Sequence, residues 1–250
     1  MLHRTEGIIL NTTPFGEADL IVTCLTKDFG IIRLFAKSPR KVGSRFGSSL
    51  EPLTHSRIGF FGKEQSRLPR LTQSDIIHSF QPLREDIRLF LQISELIELT
   101  IRTHPELSEG KRLFALLLTV LKEIERDGTP GILPLYYKIH TLRLGGFAPR
   151  LQNCTRCGSA SQRFLLSEGG IVCSNCEPVG KESILIEPGI MKIYNYLLRS
   201  RPAMVRRLKV SEQHLSKLAD IINSHINYTV VDRLNTREFS PPAGVGKENK

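Results

Sequence analysis

Cys154-Thr-Arg-Cys157 and Cys173-Ser-Asn-Cys176 are the residues of this chain that commit most plainly to a chemistry. Two C-x-x-C knuckles with 15 residues between them match the pattern of four thiolates converging on one metal ion. Each knuckle is a tight turn that aims two sulfurs the same way, and four sulfurs complete the tetrahedron that zinc prefers. Gly158 follows the first knuckle and Gly169-Gly170 turn the chain before the second. Phe164-Leu165-Leu166 and Ile171-Val172 are short apolar runs that suit the two strands of a zinc ribbon. Two disulfides in an exported chain would use the same four cysteines, but nothing else in the sequence suggests export. Four protein thiolates leave no open coordination position, so the expected cofactor is one structural Zn2+ that staples a module and performs no reaction.

The other candidates for chemistry are weaker. Asp28-Phe29-Gly30 resembles a kinase triplet, but no glycine-rich loop or strand lysine accompanies it, and it reads as a turn. His104-Pro105-Glu106 followed by C-x-x-C resembles a zinc deaminase signature; there the Pro105 would break the helix and Asn153 stands where a proline is required. No Walker loop or nucleophile elbow occurs, and the acids and histidines are scattered. Cys24 lies in an apolar strand pattern, Leu20 to Leu25, and reads as a buried free thiol. A binding protein with no catalytic residues is the expectation.

What such a protein would bind is indicated by charge. The 250 residues carry a formal net charge of +10, with a pI near 9.6, which favours a polyanion, nucleic acid before anionic membrane. Residues 27–70 hold ten cations against three acids. The densest stretch, Ala36 to Arg45, has Lys37, Arg40, Lys41 and Arg45 among small residues and no acid. Small residues let a backbone come close while lysine and arginine displace its counterions. Phe29, Phe35, Phe46, Phe60 and Phe61 are interleaved with these cations. Most of the phenylalanines are expected in the core, and Phe46, inside the loop, is the best candidate for an exposed base-stacking ring. A second acid-free cluster contains Arg199, Arg201, Arg206, Arg207 and Lys209; Arg206 and Arg207 are candidate phosphate contacts. Arg143, Arg150, Arg156 and Arg163 also precede the next acid, Glu168.

The elements that must position these residues follow from the hydrophobic period. Residues 1 to about 80 show five short strand patterns with Gly- and Pro-rich connections: Gly7–Leu10, Leu20–Thr26, Ile31–Ala36, His55–Phe61 and Ser74–Phe80. They suit a small Greek-key barrel such as an OB-fold, with a sandwich fragment as the alternative. From Pro82 the period becomes helical. Helices are expected up to Pro105, over Lys111–Arg126, from Thr129-Pro130 to Leu144, from Pro188 to Leu198, and after a cap at Ser211. The tail from Ser240 cannot bury a core and reads as disordered. The N-terminus has no cleavable signal pattern. No apolar run approaches the roughly 18 residues of a membrane span. A free thiol beside a thiolate site points to a reducing cytosol.

Taken together, these stretches resemble the bacterial RecO family of recombination mediators. The resemblance is carried by Gly7-Ile-Ile-Leu, Gly16-Glu-Ala-Asp-Leu-Ile-Val-Thr, Thr26-Lys-Asp-Phe-Gly, Ala36-Lys-Ser-Pro-Arg-Lys, Leu142-Arg-Leu-Gly-Gly-Phe-Ala-Pro149 and the paired cysteine knuckles. They occur in family order over residues 1 to about 180. Ser38-Pro39 stand where the family pattern carries Gly-Ala, and some members lack the cysteines. The resemblance implies an α+β chain with an N-terminal OB-fold (1–80), a helical domain (81–150 and 181–239) and an inserted zinc-ribbon module (151–180); the tail that reads as disordered from its composition is 240–250. It implies binding to single- and double-stranded DNA, annealing of complementary strands, and help in loading RecA onto strands coated by single-strand binding protein. The implied partners are RecR, often RecF, and the acidic C-terminal tail of single-strand binding protein, in a bacterial cytoplasm near the nucleoid and not at a membrane. Lys37, Arg40, Lys41 and Arg45 match the family's basic loop, and Cys154, Cys157, Cys173 and Cys176 its zinc ligands. Arg143 is the one residue we suggest for docking that tail. The competing readings are a zinc-ribbon protein that binds structured RNA and an unrecognised nuclease.

Overall fold

A computed structural model describes residues 1–41, 44–62, 68–104, 110–128, 131–181, 183–205 and 207–230. The chain forms two compact units, the described residues of 1–90 with 104–129, and those of 91–103 with 130–250.

The first unit is a closed five-stranded barrel in the order β1-β2-β3-β5-β4, the OB arrangement expected from sequence. Its strands are β1 (Leu2–Phe15), β2 (Asp19–Thr26), β3 (Gly30–Ala36), β4 (His55–Phe61) and β5 (Arg70–His78). Period-2 alternation decides which residues enter the barrel. Val22 and Cys24 on β2, Ile32, Leu34 and Ala36 on β3, Ile58 and Phe60 on β4, and Leu71 on β5 meet in one buried cluster. Burial pushes the Cys24 thiol up to about 12, as suits an inert core residue.

β1 is much longer than the Gly7–Leu10 run. Residues 2–8 pair with β4 and residues 7–15 with β2, so one strand serves both neighbours across a bulge between Ile9 and Asn11. Only its middle is covered on both faces, and only the middle reads as a continuous apolar run. The barrel closes at a single parallel bridge between Phe35 and Arg70, reinforced by the Phe35 N–H donating to the Pro69 carbonyl at 2.8 Å.

A short helix α1 (Gln81–Glu85) follows the barrel, then α2 (Ile87–Thr103) and α3 (Gly110–Asp127). α3 buries Leu113, Phe114, Leu117, Val120, Leu121 and Ile124, the face its period predicts. Its first residue, Gly110, lies so close to the β2–β3 turn that a Cβ there would come within 2.4 Å of the Gly30 backbone. Pro105 falls outside the described residues.

The second unit contains residues 91–103 of α2 with α4 (Leu133–Leu144), α5 (Pro188–Arg199), α6 (Pro202–Val205) and α7 (Glu212–Thr229). α4 begins at Leu133, with Pro134 in its first turn; Thr129-Pro130, the expected start, lie outside the described residues. Ser211 caps α7, its hydroxyl accepting from the His214 N–H. Lys138 and Glu95 are both buried and pair at 2.9 Å, with Asn223 of α7 accepting from the same ammonium at 3.2 Å. The Thr100 and Tyr137 hydroxyls bond at 2.6 Å beside them. Between α4 and α5 lie the cysteine knuckles and a three-stranded sheet in the order β7-β6-β8, built from β6 (Arg163–Leu165), β7 (Gly170–Ile171) and β8 (Ile184–Leu185). β8 has no counterpart in the two-strand expectation: both its residues are exposed, and an exposed two-residue edge carries no alternation to read. No helix among the described residues is long and apolar enough to cross a membrane. The expected tail, 240–250, lies outside the described residues.

Candidate metal centre and nucleic-acid interface

The four Sγ atoms of Cys154, Cys157, Cys173 and Cys176 all lie within 4.8 Å of one another, and none is in a disulfide. A tetrahedron built on zinc–sulfur bonds has edges of about 3.8 Å; Cys157 and Cys173 stand 3.5 Å apart. Local hydrogen bonds shape each knuckle. The Gly158 N–H returns to the Cys154 carbonyl at 2.9 Å, and the Cys176 N–H to that of Cys173 at 2.9 Å. Gly158 takes φ +78°, which other residues adopt at a cost. β6 and β7 pair Phe164 with Ile171, and the Thr155 N–H donates to the Ile171 carbonyl at 2.8 Å, joining the first knuckle to the second strand. Leu165 and Val172 pack with the cysteines.

The donor set has the chemistry of a cation site. Backbone N–H groups of Cys157 and Cys173 hold the Cys154 thiol down to about 6, while the Cys157 and Cys173 sulfurs push Cys176 up to about 12. A dication in the midst of four sulfurs favours the thiolate over the thiol. The residues therefore fit a metal ion. Arg156 clamps the centre from within the first knuckle: one arm donates to the Cys176 carbonyl at 3.1 Å and the other to Glu168 Oε1 at 2.6 Å.

That contact also corrects the charge map near the module. Arg156 is paired with Glu168, and Arg163 lies 3.5 Å from Glu177, so two of the four arginines in this stretch are neutralised by acids later in the chain. The other two gather elsewhere. Arg143 and Arg150 line a cleft of about 520 Å³ with Arg199, Tyr194, Leu198 and Leu151. Arg143 donates to the Leu198 carbonyl at 2.9 Å, and the buried Tyr194 hydroxyl donates to Pro149 at 2.6 Å. The three arginines come from α4, the segment after it and α5, so sequence proximity does not reveal their meeting.

On the barrel, Lys37, Arg40, Lys41 and Arg45 are all exposed. The Ser38 N–H donates to Asp19 Oδ1 at 2.7 Å and the Arg40 N–H to the Ala18 carbonyl at 3.3 Å. These bonds pin the loop to the β1–β2 turn. Ser38 has φ +55°, the left-handed conformation glycine adopts freely. Phe46 does not fill the role assigned to it: it is 3% exposed and belongs to the barrel core. Only its ring face remains in contact with charge, under the Arg45 guanidinium at 4.8 Å. A loop phenylalanine has no strand partner to show its side, so sequence alone could not place it. The exposed rings on the barrel strands are Phe61 and Phe15, at 57% and 51%; Phe15 follows Pro14 beyond the apolar run, so the hydrophobic period gives no sign of it. Lys63 and Arg67 lie outside the described residues, as does Arg206; Arg207 is exposed.

An OB barrel carrying a basic loop, joined in one chain to helices and four cysteines that could hold a metal ion, defines a class of protein more narrowly than either part. The family described as Recombination protein O N terminal matches residues 1–80, and that described as Recombination protein O C terminal matches residues 84–238. A protein named DNA repair protein RecO from Thermodesulfovibrio yellowstonii is 40% identical over 237 residues, covering 92% of this chain and 94% of its own. The protein of that name from Dehalococcoides mccartyi is 30% identical, covering 91% and 90%. That from Koribacter versatilis is 30% identical, covering 94% and 100%. The chain belongs to the RecO family of DNA repair proteins.

Proposed function

We propose that this chain is a recombination mediator: it binds single- and double-stranded DNA, anneals complementary strands and helps load RecA onto strands coated by single-strand binding protein. The observation that carries the reading is the exposed loop on the barrel with Lys37, Arg40, Lys41 and Arg45. Annealing requires two polyanions to be held together while their bases stay free to pair. Cations that grip backbones and read no sequence do this without an active site. Arg206 and Arg207 would be further phosphate contacts. Cys154, Cys157, Cys173 and Cys176 would hold one structural Zn2+, which supplies rigidity and leaves no position for substrate.

The cleft with Arg143, Arg150 and Arg199 is the place we propose for the acidic C-terminal tail of single-strand binding protein, since three arginines line it together with Tyr194 and Leu198. RecR and often RecF would be further partners in the bacterial cytoplasm. The working parts would be the barrel (1–80), a helical domain (81–150 and 181–239), the zinc module (151–180) and the tail (240–250).

Changing Lys37, Arg40, Lys41 and Arg45 together to Ala tests the assignment. DNA affinity should fall, and the slope of log affinity against log salt on single strands should become shallower by about 3. Unchanged affinity and slope would move the interface away from this loop. A preference of the wild type for duplex RNA over single-stranded DNA would point to structured RNA instead.

A further inference from the structure

Cross-strand register aligns one row of outward residues around an end of the barrel. Ile21 pairs with Phe35, Phe35 with Arg70, Arg70 with Phe61, and Phe61 with Leu2. Their neighbours Leu34, Leu71 and Phe60 point inward and are buried, so alternation sends this row outward. Phe15 meets the row edge-on, its ring 5.9 Å from that of Phe35 at 86°. Phe61 is 57% exposed and Phe15 51%. A single exposed ring is ordinary on a protein surface, but aromatics set in one row beside a cation form a patch. Arg70 stands between two of them, Arg33 is exposed on the same face of β3, and the basic loop is bonded to Ala18 and Asp19 in the turn directly after Phe15.

We infer that Phe15, Phe35 and Phe61, with Arg70 between, form a platform on which bases of single-stranded DNA stack. The inference rests on the proposed DNA binding and adds a discrimination that the phosphate grip lacks. Phosphates are common to duplex, single strand and abasic strand, whereas free base faces exist only on a single strand with its bases. Flat rings flanked by guanidiniums are the complement of such faces. A few bases held per protein leave the rest of a strand open for pairing.

The test compares oligo-dT, an abasic strand of equal length and a duplex, by fluorescence anisotropy of labelled DNA. Wild type should bind oligo-dT at least about fivefold more tightly than the abasic strand. The variant Phe15→Ala/Phe61→Ala should lose that preference while its affinities for abasic strand and duplex stay within about twofold. Both rings are exposed, so the core is not disturbed. Equal wild-type affinity for the two single strands, a preference that survives the double change, or a variant weakened equally on all three DNAs would each overturn the platform. Wild type that binds none of the three would overturn the proposed function, and the platform with it. The chain contains no Trp, so Phe61→Trp supplies a sole reporter: its emission should be quenched by oligo-dT and not by bound abasic strand. Emission unchanged by bound oligo-dT would contradict the inference.

Discussion

At the scale of single residues, Arg156 shows how a charge can serve a metal centre without touching it. The guanidinium spans from the first knuckle to the Cys176 carbonyl and is braced by Glu168. It therefore ties the two knuckles together and would offset the negative charge of the thiolates around a bound metal ion. Outer partners of this kind typically alter metal affinity by about 10- to 100-fold. The wild-type protein should carry one zinc per chain by elemental analysis. Arg156→Ala should still load zinc but surrender it faster to a chromogenic chelator. Release at the wild-type rate would reduce the contact to a surface hydrogen bond. The cysteines themselves were legible in the sequence because each knuckle is local: two residues of spacing fix two sulfurs. Phe46, Phe15 and the arginines of the cleft were not, because their surroundings come from strands and helices far away in the chain. The paired state of Arg156 was hidden for the same reason, with Glu168 supplied from beyond β6.

Among elements, α4 is the one whose packing departs most from what a helical period suggests. Leu133, Leu135, Tyr136, Tyr137, Lys138, Ile139, Thr141 and Leu142 are all buried, so the helix is covered on nearly every side and has no polar stripe where a lysine would normally sit. Lys138 is accommodated because α2 supplies Glu95 and α7 supplies Asn223. A buried charge that loses its partner is costly. Lys138→Met should lower unfolding free energy by about 3 to 5 kcal/mol in urea denaturation. Adding Glu95→Leu should recover much of that loss, because it removes the buried carboxylate whose charge Lys138 balances. If the double variant is no more stable than Lys138→Met, the lysine acts through packing and not through its charge. The helices that run as amphipathic stripes were readable within a few residues: α3 appears over Gly110–Asp127 with the predicted face buried. β1 extends well beyond its apolar run because its ends, residues 3–6 and 11–13, are polar on both faces, and α1 leaves no periodic signal because five residues hold less than two turns.

For the molecule as a whole, charge and proton balance set the conditions under which it works. Buried histidines make stability depend on pH. Burial lowers His225, whose Nε2 donates to the Phe147 carbonyl at 2.7 Å. It likewise lowers His140, bonded to the Leu197 carbonyl at 3.0 Å, with the nearby Arg143 adding to the effect. Burial also lowers His55, against an opposing pull from Glu6. Each is lower folded than unfolded, where an imidazole titrates near 6.5. The unfolded chain therefore binds more protons as pH falls below about 6.5, and the stability present above that value is lost towards the folded pKa. The melting temperature should fall between pH 7 and pH 5. His225→Gln, which keeps a donor for Phe147, should flatten the dependence; a slope as steep as wild type would mean that other groups govern it.

The proposed annealing role can be tested by coating two complementary DNA strands with single-strand binding protein and following their pairing with and without this chain. Pairing should be accelerated, and the acceleration should vanish when the coat protein lacks its acidic tail or when Lys37, Arg40, Lys41 and Arg45 are changed to Ala. Coated strands that pair no faster, while naked strands are still bound, would contradict the mediator role and leave a general nucleic-acid binder.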